Sequence, residues 1–374
     1  RTIGNFNIIN SGLASGQGVI GVDSSAGSLS FSVGGNLVQN GGSFSGILNG
    51  SGAATFNITG MVDVNAGSFK GQNNIVYSNT GTITFTAGSI DFDGGLFSGF
   101  YSCNNSSLTG VFTINGNCKV NFTAASDEFT FIGIGKVGFD NNNLLLTLNI
   151  TGTLIISGAN GTFISSQSGG MENITLGNAS ISNGNNSFNC TQANALSTGH
   201  TVKMTVLGNF SVSGGTNFLS ASTQNDTILV NNDIIISGGS LSVKGADATA
   251  SIVNVLGGYS QTGGTFYMHN NVSDPLGASS SVIMTVNSND DASGDFTHTA
   301  GTFYFDNSTT VAGSLNMALN VKSPNYTLGG NGNMTMTNPG VGSVTGTINF
   351  ARNGTINFSR SGTHDIQQIR QNML

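Results

Sequence analysis

Carboxylates are the residues in this sequence best suited to chemistry, and they fall in three short groups. Asp91-Phe92-Asp93 sets two carboxylates two residues apart, which on a strand puts both on one side. Such a pair can bind Ca²⁺ or serve as acid and base in a groove that cleaves polysaccharide. Asn289-Asp290-Asp291, with Asp295 close by, is the densest acidic group. It lacks the Asp-x-Asp-x-Asp-Gly spacing of a dedicated calcium loop. Asp127-Glu128 is the third. The simpler expectation is an exposed strand face beside the Gly94-Gly95 corner for the first and solvated corners for the others.

His200, His269, His298 and His364 have no metal-ligand spacing to one another or to a Cys. There is no Gly-x-Ser-x-Gly elbow with a supporting triad and no phosphate-binding loop. Cys103, Cys118 and Cys190 are odd in number, a poor disulfide framework. Cys103 and Cys118 could pair across neighbouring strands, but three small core residues is the preferred reading. No catalytic, cofactor-binding or metal residue is assigned, and no cofactor.

Charge narrows the partners. The ten Lys and Arg are scattered singly and the net charge is -7, so no basic patch exists for nucleic acid or an anionic membrane surface. No apolar run approaches the roughly 20 residues of a membrane helix; Leu144-Leu145-Leu146-Thr147-Leu148 is strand-sized.

A repeat positions these residues. Its clearest copy is Ala250–Met268: a short alternating strand, a Gly257-Gly258 corner, a strand headed by Tyr259, a Gly263-Gly264 corner, and a strand on Thr265-Phe266-Tyr267. The 56 Gly residues and the Asn-rich corners reach positive φ cheaply. Strand segments alternate with period two, and nothing has the apolar period of a helix. Aligned copies place Phe44, Phe69, Phe163, Phe218, Leu241, Phe266 and Phe303 in one slot, and Leu37, Phe210, Ile234, Tyr259 and Phe296 in another. His298 aligns with Gln261 and reads as an outward polar residue. Anchor glycines are spaced from 21 residues (Gly67 to Gly88) to 37 (Gly264 to Gly301), with insertions in polar stretches, as in a solenoid.

The predicted fold is all-β: a parallel, right-handed β-helix (solenoid) with irregular coils of about 21–37 residues. A string of antiparallel sandwiches is disfavoured by the absence of Trp and by a repeat too short for an autonomous sandwich. Residues 1–374 are expected to form a single elongated β-helix. Thr363–Leu374 stops on apolar residues where a solenoid needs a polar cap, which predicts a fragment of a longer chain.

The phrases Gly208-Asn209-Phe210-Ser211-Val212-Ser213-Gly214-Gly215-Thr216, Gly258-Tyr259-Ser260-Gln261-Thr262-Gly263-Gly264-Thr265-Phe266 and Gly294-Asp295-Phe296-Thr297-His298-Thr299-Ala300-Gly301-Thr302-Phe303 resemble the repeats of large β-helical surface proteins of Bacteroidota exported by the type IX secretion system. Gly346-Thr347-Ile348-Asn349-Phe350 through Asp365-Ile366 is similar to closing passages found there. The resemblance implies an extracellular or cell-surface location and the outer-membrane translocon as a transient partner. It carries over no catalytic residue.

The leading expectation is a structural, adhesin-like segment that is not an enzyme. The alternative is a carbohydrate-active β-helix, a polysaccharide lyase or hydrolase. It needs several carboxylates and a Lys or Arg together, whereas the basic residues are dispersed in sequence. A glycan-binding module using exposed Tyr267, Tyr304 or Tyr326 is the remaining reading.

Overall fold

The computed structural model describes residues 2–3, 6–8, 17–23, 29–49, 53–74, 82–103, 109–121, 127–135, 144–158, 160–166, 170–190, 201–220, 225–244, 250–270, 280–306, 314–330, 333–335, 343–350 and 355–360. Among them every regular element is a strand, and neighbouring coils pair in parallel. The protein is a parallel β-solenoid of stacked coils. Its residues divide into two compact units, Arg1–Gly177 with Gly184–Val202, and Asn178–Asn183 with Lys203–Leu374.

One coil of the second unit shows the plan. It consists of the strands Asn225–Val230, Ile234–Ile236 and Ser240–Lys244, joined by two tight corners. The next coil repeats it with Ala250–Val255 and then Tyr259–His269, which runs on through the Gly263-Gly264 corner. Residue pairs align strand by strand: Ile228 with Val253, Ile234 with Tyr259, Leu241 with Phe266. Alternation sends one side of each strand inward, and coils stacked about 4.8 Å apart turn each inward position into a ladder.

These ladders are the core. In the second unit Phe210, Ile234, Tyr259, Phe296 and Tyr326 follow one another on the second strand, all buried. Leu241, Phe266 and Phe303 follow on the third. In the first unit Phe31, Phe56, Phe85, Phe112 and Leu148 line the first strand. Phe44, Phe69, Phe97 and Phe129 line the third, with ring centroids 5.1, 5.1 and 4.6 Å apart and nearly parallel planes. The stacking distance is thus the rise of the sheet itself, so backbone pairing and ring stacking are satisfied together.

Coil length, read from register, runs from 24 residues (Phe210 to Ile234) to 37 (Tyr259 to Phe296). The shorter interval of 21 joined two different corners. Gly88 lies against Thr59 and Gly60 in the first corner, whereas the second-corner neighbour of Gly67 is Gly95.

The corners explain two sequence habits. At the first corner an Asn or Asp side chain accepts a hydrogen bond from the next coil. Asn209 N–H donates to Asn178 Oδ1 at 2.9 Å, Asp233 N–H to Asn209 Oδ1 at 3.1 Å, and Gly258 N–H to Asp233 Oδ1 at 2.6 Å. The Gly-Asn/Asp-aromatic phrase is therefore one acceptor for the coil above plus one core ring. At the second corner, inward amides serve carbonyls that face the core. Gln39 and Gln261 Nε2 donate to Gly42 O and Gly264 O, each at 3.2 Å, which satisfies groups that burial would otherwise make costly.

The same need overturns one alignment. Asn217, not Phe218, takes the inward slot beside Leu241, where its Nδ2 donates to Gly214 O at 3.1 Å and Ser240 O at 3.0 Å. Phe218 is half-buried on the outer side. The Phe163 side chain lies outside the described residues.

Gly264 has φ +64°, and a Cβ there would stand 2.6 Å from Gly239 O in the preceding coil. Gly264→Ala is expected to lower stability by about 1–3 kcal/mol, read as a fall in the urea midpoint. An unchanged midpoint would show that the corners are not closely stacked.

Candidate functional site

Chemically able side chains gather in three places. The first is the outer side of the second strand in the first unit, where Asp63 aligns with Asp91 and Asp91 with Lys119. Lys119 Nζ donates to Asp91 Oδ1 at 2.9 Å and to Asp93 Oδ1 at 3.3 Å. Asn121 Nδ2 also donates to Asp93 Oδ1, at 3.2 Å. Burial, then the charge of Asp91, holds the Asp63 carboxyl above the usual carboxylate range, against the pull of Asn65 and Lys119. The hydrogen bond to Asp91 raises Lys119 in turn.

Three carboxylates and an ammonium thus share one half-exposed face, although the sequence disperses them. Asp63, Asp91 and Lys119 lie one coil apart in succession, an interval of 28 residues between Asp91 and Lys119. Periodicity over the length of a coil is the signal that finds them. Lys119 engages Asp91 and Asp93 as a surface charge network, a type of contact worth little per pair. Among the described residues no group of three or more His, Cys, Asp or Glu side chains is arranged to hold a metal ion.

The second place is inside the second unit. Two consecutive residues at the end of three successive third strands are buried: Leu219-Ser220, Val243-Lys244 and Met268-His269. Lys244 Nζ lies 2.6 Å from Asp226 Oδ2, and both side chains are 0% exposed. Ser251 Oγ donates to the same Oδ2 at 3.0 Å. Burial pushes the Asp226 carboxyl up, opposed by Lys244 and the hydroxyls around it. An enclosed ion pair carries a desolvation cost of several kcal/mol per ion. Asp226 and Lys244 are 18 residues apart, a spacing with no motif behind it.

The third is the outer side of the third strand in the second unit. Tyr267 and Tyr304 are register partners, stacked with centroids 5.0 Å apart and planes at 8°. Both are half-buried, with Thr265 and Thr302 in the adjacent column. Burial raises the Tyr267 hydroxyl above its usual range. Tyr326 is not part of this surface. It is fully buried in the second-strand ladder, and its hydroxyl donates to Val321 O at 3.1 Å.

The remaining predicted positions are structural. His298 faces inward and is 0% exposed, as is Gln261 beside it; the alignment of the two was right and the outward reading was not. Asn287 and Asp290 have positive φ. Asn287 Nδ2 donates to Asp291 O at 2.9 Å, and Ser293 N–H donates to Asp291 Oδ1 at 2.9 Å, so the acidic group is a self-capped turn. Asp127 is buried and accepts from Gly95 N–H at 2.8 Å, a coil-to-coil cap where a solvated corner was expected. Cys118 is a buried free thiol in the ladder between Ile90 and Leu154, and burial raises it. His200, His364 and the side chains of Glu128, Cys103 and Cys190 lie outside the described residues.

Comparison with known proteins finds no matching family, no matching curated relative and no matching solved structure.

Proposed function

We propose that this chain is a segment of a secreted or cell-surface, adhesin-like β-solenoid that bears structure rather than catalysis, and that it reaches the surface as a type IX secretion substrate. One observation carries the reading: the same three-strand coil is reused along the chain, with stacked rings inside and Asn or Asp hydrogen bonds passing from coil to coil at the corners. Such a design extends by adding coils, and its sparse surface charge suits a scaffold. The resemblance of the Gly208–Thr216 and Gly294–Phe303 phrases to exported repeats supplies the route. An antibody to this segment is expected to label intact cells of the source bacterium. Label only after permeabilisation, or unchanged surface label in cells lacking the type IX translocon, would overturn location or route.

The stacked Tyr267–Tyr304 pair favours a second reading, in which the same scaffold binds extracellular polysaccharide. Flat, half-exposed rings flanked by hydroxyls offer an apolar face and hydrogen bonds to a sugar ring. On a polysaccharide panel, retention lost on Tyr304→Ala supports it. Release of oligosaccharides supports the carbohydrate-active alternative instead, with Asp63, Asp91 and Asp93 as the carboxylates to replace.

A further inference from the structure

Lys244 and Asp226 raise a question that a scaffold role does not answer. The described interior around them combines apolar ladders such as Ile228 with Val253 and Leu241 with Phe266 with the buried Ser220, Ser251 and His269, and it encloses a Lys–Asp pair with no exposure at either side chain. The contact of 2.6 Å is at the short end for an ammonium and a carboxylate. It sets Nζ directly against the carboxyl group whose carbon it would attack. Ser251 Oγ, one coil further along, donates to the same Oδ2 at 3.0 Å. His269 follows Lys244 in register.

From this geometry we propose that Lys244 and Asp226 condense into an intramolecular amide that covalently ties the third strand of one coil, Ser240–Lys244, to that coil's first strand, Asn225–Val230. A proton first passes from Nζ to the carboxylate across the contact, leaving an amine and a carboxylic acid. The freed Nζ lone pair then forms the new bond to Cγ, and one Cγ–O bond breaks. That oxygen leaves as water with the transferred proton and one more from Nζ, and the last proton remains as the amide N–H. Charge and atoms balance without an oxidant, reductant or co-reactant. The product holds no buried charge, and its carbonyl oxygen still accepts from Ser251. Excluded water removes the competing hydrolysis, and neutral Lys is a competent nucleophile once desolvated. Ser251 acts as a positioning residue.

The test is mass spectrometry of the purified full chain under denaturing conditions. The expected intact mass is lower than that of the sequence by one water. Trypsin is expected to leave the bond after Lys244 uncut, giving one fragment over 204–322 that carries the whole deficit. Asp226→Leu is expected to restore the full mass and the cut. A wild-type mass equal to that of the sequence, with complete cleavage after Lys244, overturns the proposal whether or not the variant folds. So does a one-water deficit that persists in Lys244→Met, because it then comes from a succinimide elsewhere. A scaffold without surface location leaves the amide standing, and a surface protein with free Lys244 leaves the proposed function standing.

Discussion

Phe266→Asp is expected to remove the cooperative thermal transition of the second unit at temperatures where the wild-type chain is folded. Phe266 is 0% exposed. Its ring lies 4.8 Å from Phe303 in the next coil and 5.6 Å, edge-on, from Tyr259 in its own. Truncating a buried Phe costs about 3–5 kcal/mol, and the introduced carboxylate adds the cost of an unpaired buried charge. The sum is comparable with the whole stability of a typical domain, about 5–15 kcal/mol. Phe218→Asp is the matched control. Phe218 is only half-buried, on the side of the strand away from the Asn217 slot, so its transition is expected to fall much less. Circular dichroism melts of both variants decide the matter. An unmoved transition in Phe266→Asp would take this residue out of the core, and equal losses in both would void the inward and outward assignment.

That contrast also measures how much of the molecule is legible in the sequence. Period-two alternation and the Gly pairs are local signals, and they suffice to align Phe210, Ile234, Tyr259 and Phe296 as the structure does. They fail where side-chain chemistry overrides alternation. Asn217 displaces Phe218 inward because the Gly214 carbonyl needs a donor. Gln261 and His298 look like surface residues, yet they occupy inward positions beside a corner whose carbonyls face the core. Tyr326 satisfies its hydroxyl on Val321 O and so can be buried. Two corners with the same composition also look alike, so spacing alone does not separate Gly88 of the first corner from Gly67 of the second.

The charged groups were illegible for a different reason. Their contacts cross from one coil to the next, or from the first strand of a coil to its third. Coils here vary from 24 to 37 residues, so the interval of 28 between Asp91 and Lys119 stands out only once that coil's length is known, and the 18 residues between Asp226 and Lys244 match no coil length. Once register is known, both follow from position. Lys119 follows Asp63 and Asp91 in one column, and Lys244 takes the place that Ser220 holds in the coil before.

Lys244→Met carries the second large effect. Removing one partner of an enclosed ion pair costs about 3–5 kcal/mol, because the other charge stays buried and unmatched. Replacing both partners, as in Asp226→Leu with Lys244→Met, removes that burden, and for a simple ion pair the double variant is expected to match or exceed the wild type. A covalent amide changes the arithmetic. It closes a loop between residues 226 and 244, and a closed loop of that size restrains the unfolded chain by about 3 kcal/mol, which both variants forfeit. The expected result is therefore a double variant that recovers part of the single variant's loss yet stays about 3 kcal/mol below the wild type. Urea titrations of the two single variants and the double measure the cycle. Full recovery in the double variant would identify an ordinary buried ion pair, and a deficit that remains would mark the chain restraint that only a bond between Lys244 and Asp226 supplies.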